Sequence, residues 1–180
     1  MTGNVQSGMI AVQVACATVV GQVLSGKNLD RVLDAQLSRL PGLEPGDRGA
    51  IRSICFDTLR HYGLLSAQID ILLTQPAADA PVRHLLLVTL SQLQFSRAAP
   101  HAIVDHAVEA VGVMGFARAK SLTNAVLRSF LRAPDKFQRQ RFKNPVARYD
   151  FPRWWQTRVK AEHAKDWEAI LLSARQHPPM

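Results

Sequence analysis

The sequence predicts an all-α protein: a helical bundle of about seven helices followed by a C-terminal helical connector. Three observations carry that reading. Apolar residues recur at spacings of three and four along most of the chain. No run of any length alternates apolar and polar residues as a half-buried strand would. The Pro- and Gly-rich breaks are short, as between antiparallel helical neighbours. With 180 residues and 47% hydrophobic content the chain can bury a sizeable core, which excludes disorder as its main state.

The first helix is expected over residues 9–24, "MIAVQVACATVVGQVL", with Ser7 as its candidate cap and Gly26 just past its end. No Lys or Arg precedes this run, and it carries Gln13, Thr18 and Gln22. It therefore reads as a buried core helix of a cytoplasmic protein, not as a signal peptide or a membrane span. Residues 28–40 place Leu29, Val32, Leu33, Gln36, Leu37 and Leu40 on one stripe, and "PGLEPG" then makes a turn. Asp47 opens the strongest helix, in which Ile51, Ile54, Cys55, Thr58, Leu59 and Tyr62 share a face, and Gly63 separates it from a helix running to Leu73. After the linker at residues 75–81, "VRHLLLVTLSQLQF" is apolar on most sides and is expected to be the central helix, with Leu85, Leu86, Val88, Thr89, Leu93 and Phe95 surrounded. Helices over residues 101–114 and 119–132 follow, the latter turning Leu122, Val126, Leu127, Phe130 and Leu131 inward.

Composition shifts at Ala133. Residues 133–152 are basic and lack a long stripe, after which helical spacing returns through Trp155, Val159 and Trp167, broken at His163, with Ile170, Leu171 and Ala174 continuing the apolar side. The chain thus divides into a domain at 1–132 and a basic linker with helical connector at 133–180. Trp154, Trp155 and Trp167 mark this appendage as one that packs onto another surface, either the first domain or a further one. The closing "HPPM" reads as a helix stop and extended hinge leading toward a missing domain.

The net charge of +8 is unevenly placed. Residues 1–80 hold six basic and seven acidic side chains, residues 81–130 five and two, and residues 131–180 eleven and five. Such polarity attracts polyanions, nucleic acid first among them. Arg118, Lys120, Arg128 and Arg132 surround Asn124 in sequence, and on one helix Arg128 and Arg132 are adjacent while Lys120 lies roughly 80° from Arg128 about the axis. That is a candidate phosphate-contacting stripe, with Arg52 and Arg60 as further candidates. Asp47, Arg48 and Asn124 are assigned structural roles. Asp47 would serve a helix N-terminus, Arg48 would reach a carboxylate of a neighbouring helix, and Asn124 would be a buried amide satisfied by a loop backbone group.

No catalytic constellation is legible. No Gly-rich phosphate loop follows a strand, no Cys/His cluster has metal-ligand spacing, and His101 and Asp105 lack a third convergent group. Cys16 and Cys55 lie inside apolar helical patterns and read as buried free thiols.

The segments "GDRGAIRSICFDTLRHYGLL", "PHAIVDHAVEAV" and "AKSLTNAVLRSFLR" resemble, in order and spacing, the signature segments of the NusB-like RNA-binding fold over roughly residues 9–132. "ARYDFPRWWQTRVKAEHAKDWEAILLSARQHPPM" resembles the connector of bacterial 16S rRNA cytosine-C5 methyltransferases of the Sun/Fmu (RsmB) type, which stand-alone NusB proteins lack. The resemblance implies a parent enzyme that depends on S-adenosylmethionine and uses two cysteines, one of them bonding to C6 of cytosine. Cofactor and cysteines would belong to a domain following Met180. Cys16 and Cys55 match neither cysteine motif, so this chain would hold no cofactor and no catalytic residue. Where relatives often carry Arg in the first helix this sequence has Gln13, and Phe151 stands where His usually precedes the connector proline.

The expected function is an RNA-binding accessory domain that helps position 16S rRNA, partnered within the full-length protein by the methyltransferase domain. A protein–protein docking module is the alternative. Transcription antitermination, as in NusB proper, ranks below both because of the connector.

Overall fold

The computed structural model describes residues 8–73, 79–174 and 176. Ser7, most of the 75–81 linker, Arg175 and the terminal "HPPM" lie outside them. All of the regular structure among the described residues is helical: α1 (Gly8–Leu24), α2 (Leu29–Ser38), α3 (Pro45–Arg60), α4 (Tyr62–Leu72), α5 (Ala80–Phe95), α6 (Pro100–Val113), α7 (Lys120–Arg132), α8 (Pro134–Lys143), α9 (Pro145–Tyr149), α10 (Arg153–Glu162) and α11 (Trp167–Ser173). A short 3-10 turn, Ala117–Ala119, leads into α7.

Two of the expected boundaries move. The third helix starts at Pro45, not Asp47, because proline at the first helical position needs no N–H partner. The break before α4 falls at His61, and Gly63 lies inside α4. Gly63 is there for close approach: a Cβ built on it would stand 2.5 Å from the Val146 carbonyl oxygen and 2.9 Å from Asp150 Cα.

As its pattern requires, α5 is central; it packs on α1, α3, α4, α6 and α7, and Leu85 through Leu90 are buried. The main core joins Val12, Cys16 and Val19 of α1 to Leu33 of α2, Ile51 and Cys55 of α3, Leu65 and Ile69 of α4, Leu86 and Leu87 of α5 and Leu127 and Phe130 of α7. Gln13 is buried within it, donating from Nε2 to Gln92 Oε1 at 2.8 Å and to the Ile103 carbonyl at 3.2 Å. The first helix therefore presents no polar contact at that position.

Several expected core residues lie at the rim. Tyr62 falls beyond the helix break and is exposed, and Phe95 is exposed on one side while stacking on the His61 ring at a centroid distance of 4.2 Å. On α7 the buried stripe is Thr123, Val126, Leu127 and Phe130, leaving Leu122 and Leu131 on its exposed flanks. Ile170 and Ala174 are exposed, and only Leu171 of that group enters the core of the connector.

The 133–150 segment folds onto the bundle. Phe137 of α8 is buried against Phe130 of α7, ring centroids 5.3 Å apart, and α9 packs on α4. The carboxylate of Asp150, a residue with φ of 61° that ends α9, accepts the Leu64 N–H at 2.7 Å and lies 3.3 Å from His61 Nδ1. It serves the first turn of α4 as a cap from a distant part of the chain. Beyond it, Tyr149, Val159 and Leu171, with Phe151 and Trp167, form a small separate core.

Candidate nucleic-acid interface

The exposed side of α7 carries Arg128 and Arg132 one turn apart, with Arg118 exposed in the preceding 3-10 turn. None of the three has a carboxylate partner among the described residues. Arg128 Nε donates to Asn124 Oδ1 at 2.8 Å, so Asn124 is a half-buried residue that steadies the arginine, not a buried amide held by a loop. The i,i+4 spacing of these two made that contact legible. Arg128 and Leu131 also face Pro100, His101 and Val104 of α6 across a cleft of about 420 Å³. Lys120 leaves the stripe: its Nζ lies 2.9 Å from Glu109 Oε2, and its Cε occupies the space that a Cβ on Gly112 would need.

The two candidate arginines of α3 are engaged by carboxylates. Arg52 pairs with Asp34 of α2 at 3.1 Å, and Arg60 with Asp57 one turn earlier at 3.0 Å. Arg48 reaches a backbone group instead of a carboxylate, donating to the Leu40 carbonyl at 3.2 Å where the chain leaves α2. Asp47 stands at the helix start expected for it and beside a second one. It sits in the first turn of α3, and its carboxylate lies against Gly8, where α1 begins, so that a Cβ there would meet Oδ2 at 2.6 Å. An acid beside a helix N-terminus is favourably placed in the field of the backbone amides.

Two further cationic concavities were missed in the sequence. Lys27, Arg31 and Arg39 line a hollow of about 450 Å³ beside α2 with Gln22 and Asn28, and the Arg31–Ala35–Arg39 spacing of four was its available signal. In the connector, Arg148, Arg153 and Lys160 line a cleft of about 360 Å³ with Tyr149 and Trp167. The i,i+7 spacing of Arg153 and Lys160 on α10 is local, but bringing Arg148 and the two rings to them depends on how α9, α10 and α11 pack.

The tryptophans divide. Trp154 is 66% exposed and Trp155 37% exposed, their rings meeting edge to face at 5.6 Å. Trp167 is partly buried, edge-on to Tyr149 at 5.5 Å, and packs against the connector core while lining its cleft. Both cysteines are buried and free, and burial beside the Cys55 thiol pushes the Cys16 thiol well above its usual range. Among the described residues no three His, Cys, Asp or Glu side chains converge as a metal site, and no helix is long and apolar enough to cross a membrane.

This all-α bundle, with exposed arginines on α7 and a following segment docked by Asp150, belongs to the NusB family, which the chain matches over residues 9–132. Its curated relatives carry the name ribosomal RNA small subunit methyltransferase B. The protein of that name from Pseudomonas syringae pv. tomato is 39% identical over 171 residues, covering 93% of this chain and 38% of that protein. Those from Pseudomonas putida and Serratia proteamaculans are 38% and 33% identical, covering 93% and 91% of this chain and 38% of each relative. The similarity thus runs past the bundle into the connector, while the chain spans about 38% of the length of these relatives.

Proposed function

We propose that this chain is the RNA-gripping part of an rRNA cytosine-C5 methyltransferase, positioning 16S rRNA in the cytoplasm for methylation that depends on S-adenosylmethionine. The observation that carries the reading is the exposed set Arg118, Arg128 and Arg132, free of carboxylates among the described residues, in a chain whose relatives are named as ribosomal RNA methyltransferases. Fixed cations at helical spacing suit phosphate contacts, which position RNA without reading its sequence. Cofactor binding and the nucleophile are assigned to the part of the relatives' length that this chain does not span. Cys16 and Cys55 support that assignment, since both thiols are buried, and burial raises the pKa of Cys16, which makes it a poor nucleophile.

The test is affinity for a 16S rRNA fragment at rising salt. We expect log K to fall linearly with log salt, and R128A/R132A to weaken binding about tenfold and flatten the slope. No binding at low salt, or binding indifferent to salt, would overturn the reading.

A second reading, docking of a protein surface, is favoured by the exposed Trp154–Trp155 pair. It is compatible with the first, because the pair lies on α10 and the arginines on α7 and the turn before it. Antitermination is not favoured, since the similarity to methyltransferases extends into the connector.

A further inference from the structure

We infer that the connector carries its own site for single-stranded RNA: a cleft between α9, α10 and α11 that takes one phosphodiester together with the sugar and base attached to it. This rests on the RNA-binding reading above and places a second contact region beyond the bundle.

Arg153, Gln156, Thr157 and Lys160 stand at spacings of three and four and so share one face of α10, while Pro145, Arg148 and Tyr149 of α9 and Trp167 of α11 form the opposite wall. The frame is fixed before any ligand arrives. Gln156 Nε2 donates to the Pro145 carbonyl at 3.1 Å and to the Phe151 carbonyl at 2.7 Å, tying α10 to α9. Tyr149 donates its hydroxyl to Glu168 Oε1 at 2.8 Å, and Arg148 pairs with the same carboxylate, tying α9 to α11.

Charge then selects the ligand. Glu168 offsets Arg148, but Arg153 and Lys160 are exposed and have no ion-pair partner among the described residues, which leaves a cationic surplus facing the cleft. Two cations lie against aromatic faces, Lys160 Nζ 5.3 Å from the Trp167 centroid and the Arg148 guanidinium 5.1 Å from that of Tyr149. Cations and aromatic walls in one groove are what single-stranded nucleic acid uses, with the phosphate on the cations and the sugar or base against the rings. Thr157 adds a sugar contact: its hydroxyl donates to the Arg153 carbonyl at 3.0 Å, leaving the oxygen able to accept from a 2′-hydroxyl. A volume of about 360 Å³ suits a single nucleotide unit, whereas a duplex would have to stand outside it.

The experiment uses the 180-residue chain and a fluorescein-labelled single-stranded RNA, with circular dichroism confirming that each variant keeps its helices. R153A/K160A is expected to weaken binding about tenfold and to lower the log–log salt slope by about 1.4, or two contacts at roughly 0.7 each. In a W154F/W155F background, RNA should quench the remaining Trp167 fluorescence saturably. If the chain binds RNA while R153A/K160A leaves affinity and slope unchanged, this inference alone falls. If polyglutamate binds as tightly as RNA and R153A/K160A abolishes that binding, the cleft is a site for acidic peptides and the inference is overturned. If the unmodified chain binds no RNA, the proposed function falls and this inference falls with it.

Discussion

Asp150 and Leu64 are 86 residues apart in sequence, yet the carboxylate of one accepts the main-chain N–H of the other at 2.7 Å. Removing that acceptor with D150A leaves a first-turn amide of α4 without its partner and puts alanine at φ 61°, which costs a residue without a short polar side chain more. Loss of such a cap is worth about 0.5–2 kcal/mol. Thermal unfolding should show a midpoint lowered by several degrees, with D150N losing less because its amide oxygen can still accept.

Gly63→Ala and Gly49→Ala should move stability in opposite directions. In a free helix alanine is favoured over glycine by about 1 kcal/mol. Gly49 of α3 has nothing within 4 Å of its would-be Cβ, so that gain should appear there. At Gly63 the new methyl meets the backbone of α9, and the clash of about 1–3 kcal/mol should outweigh the propensity gain. Urea midpoints for the two variants check the signs.

His84 supplies a pH dependence. Burial, and secondarily the charge of Arg83, lower its pKa from 6.5, so the fold favours the neutral ring. The unfolded chain binds the proton more readily, so this contribution to stability is present above pH 6.5 and is lost as pH falls through the folded-state value. Denaturation midpoints measured across that window should fall toward acid pH, and H84Q should flatten the fall.

The tryptophans should separate by role. W154A removes a side chain that is 66% exposed and should change stability by no more than about 0.5 kcal/mol. W167A removes a wall of the connector core and should cost about 3 kcal/mol. Iodide quenching should report the same order, with Trp154 the most accessible.

Periodicity made the helices legible because each pattern is local. It found the buried stripe of α5 and the burial of both cysteines. It misplaced the α3–α4 break because Gly63 reads as a helix breaker until α9 is known to press against it. Phe95 looked like core because its helix does, but its ring instead covers His61 at the end of α5. Candidate contacts followed the same division. Arg128–Asn124 and Arg60–Asp57 have helical spacing, whereas Lys120–Glu109 and Arg52–Asp34 link different helices and remove two cations from the expected set. Arg153 and Lys160 share a face of α10, but nothing local brings Arg148 or Trp167 to them, which takes the packing of three helices.

The long reach of Asp150 also bears on the order of events at the ribosome. Domains generally fold as units while synthesis proceeds from the N-terminus. Here the helices through α7 can gather early, but the first turn of α4 must wait for a residue made 86 positions later, and Phe130 for Phe137. The connector is therefore a late-arriving clasp, and the bundle reaches its finished form only as the segment leading out of it leaves the exit tunnel.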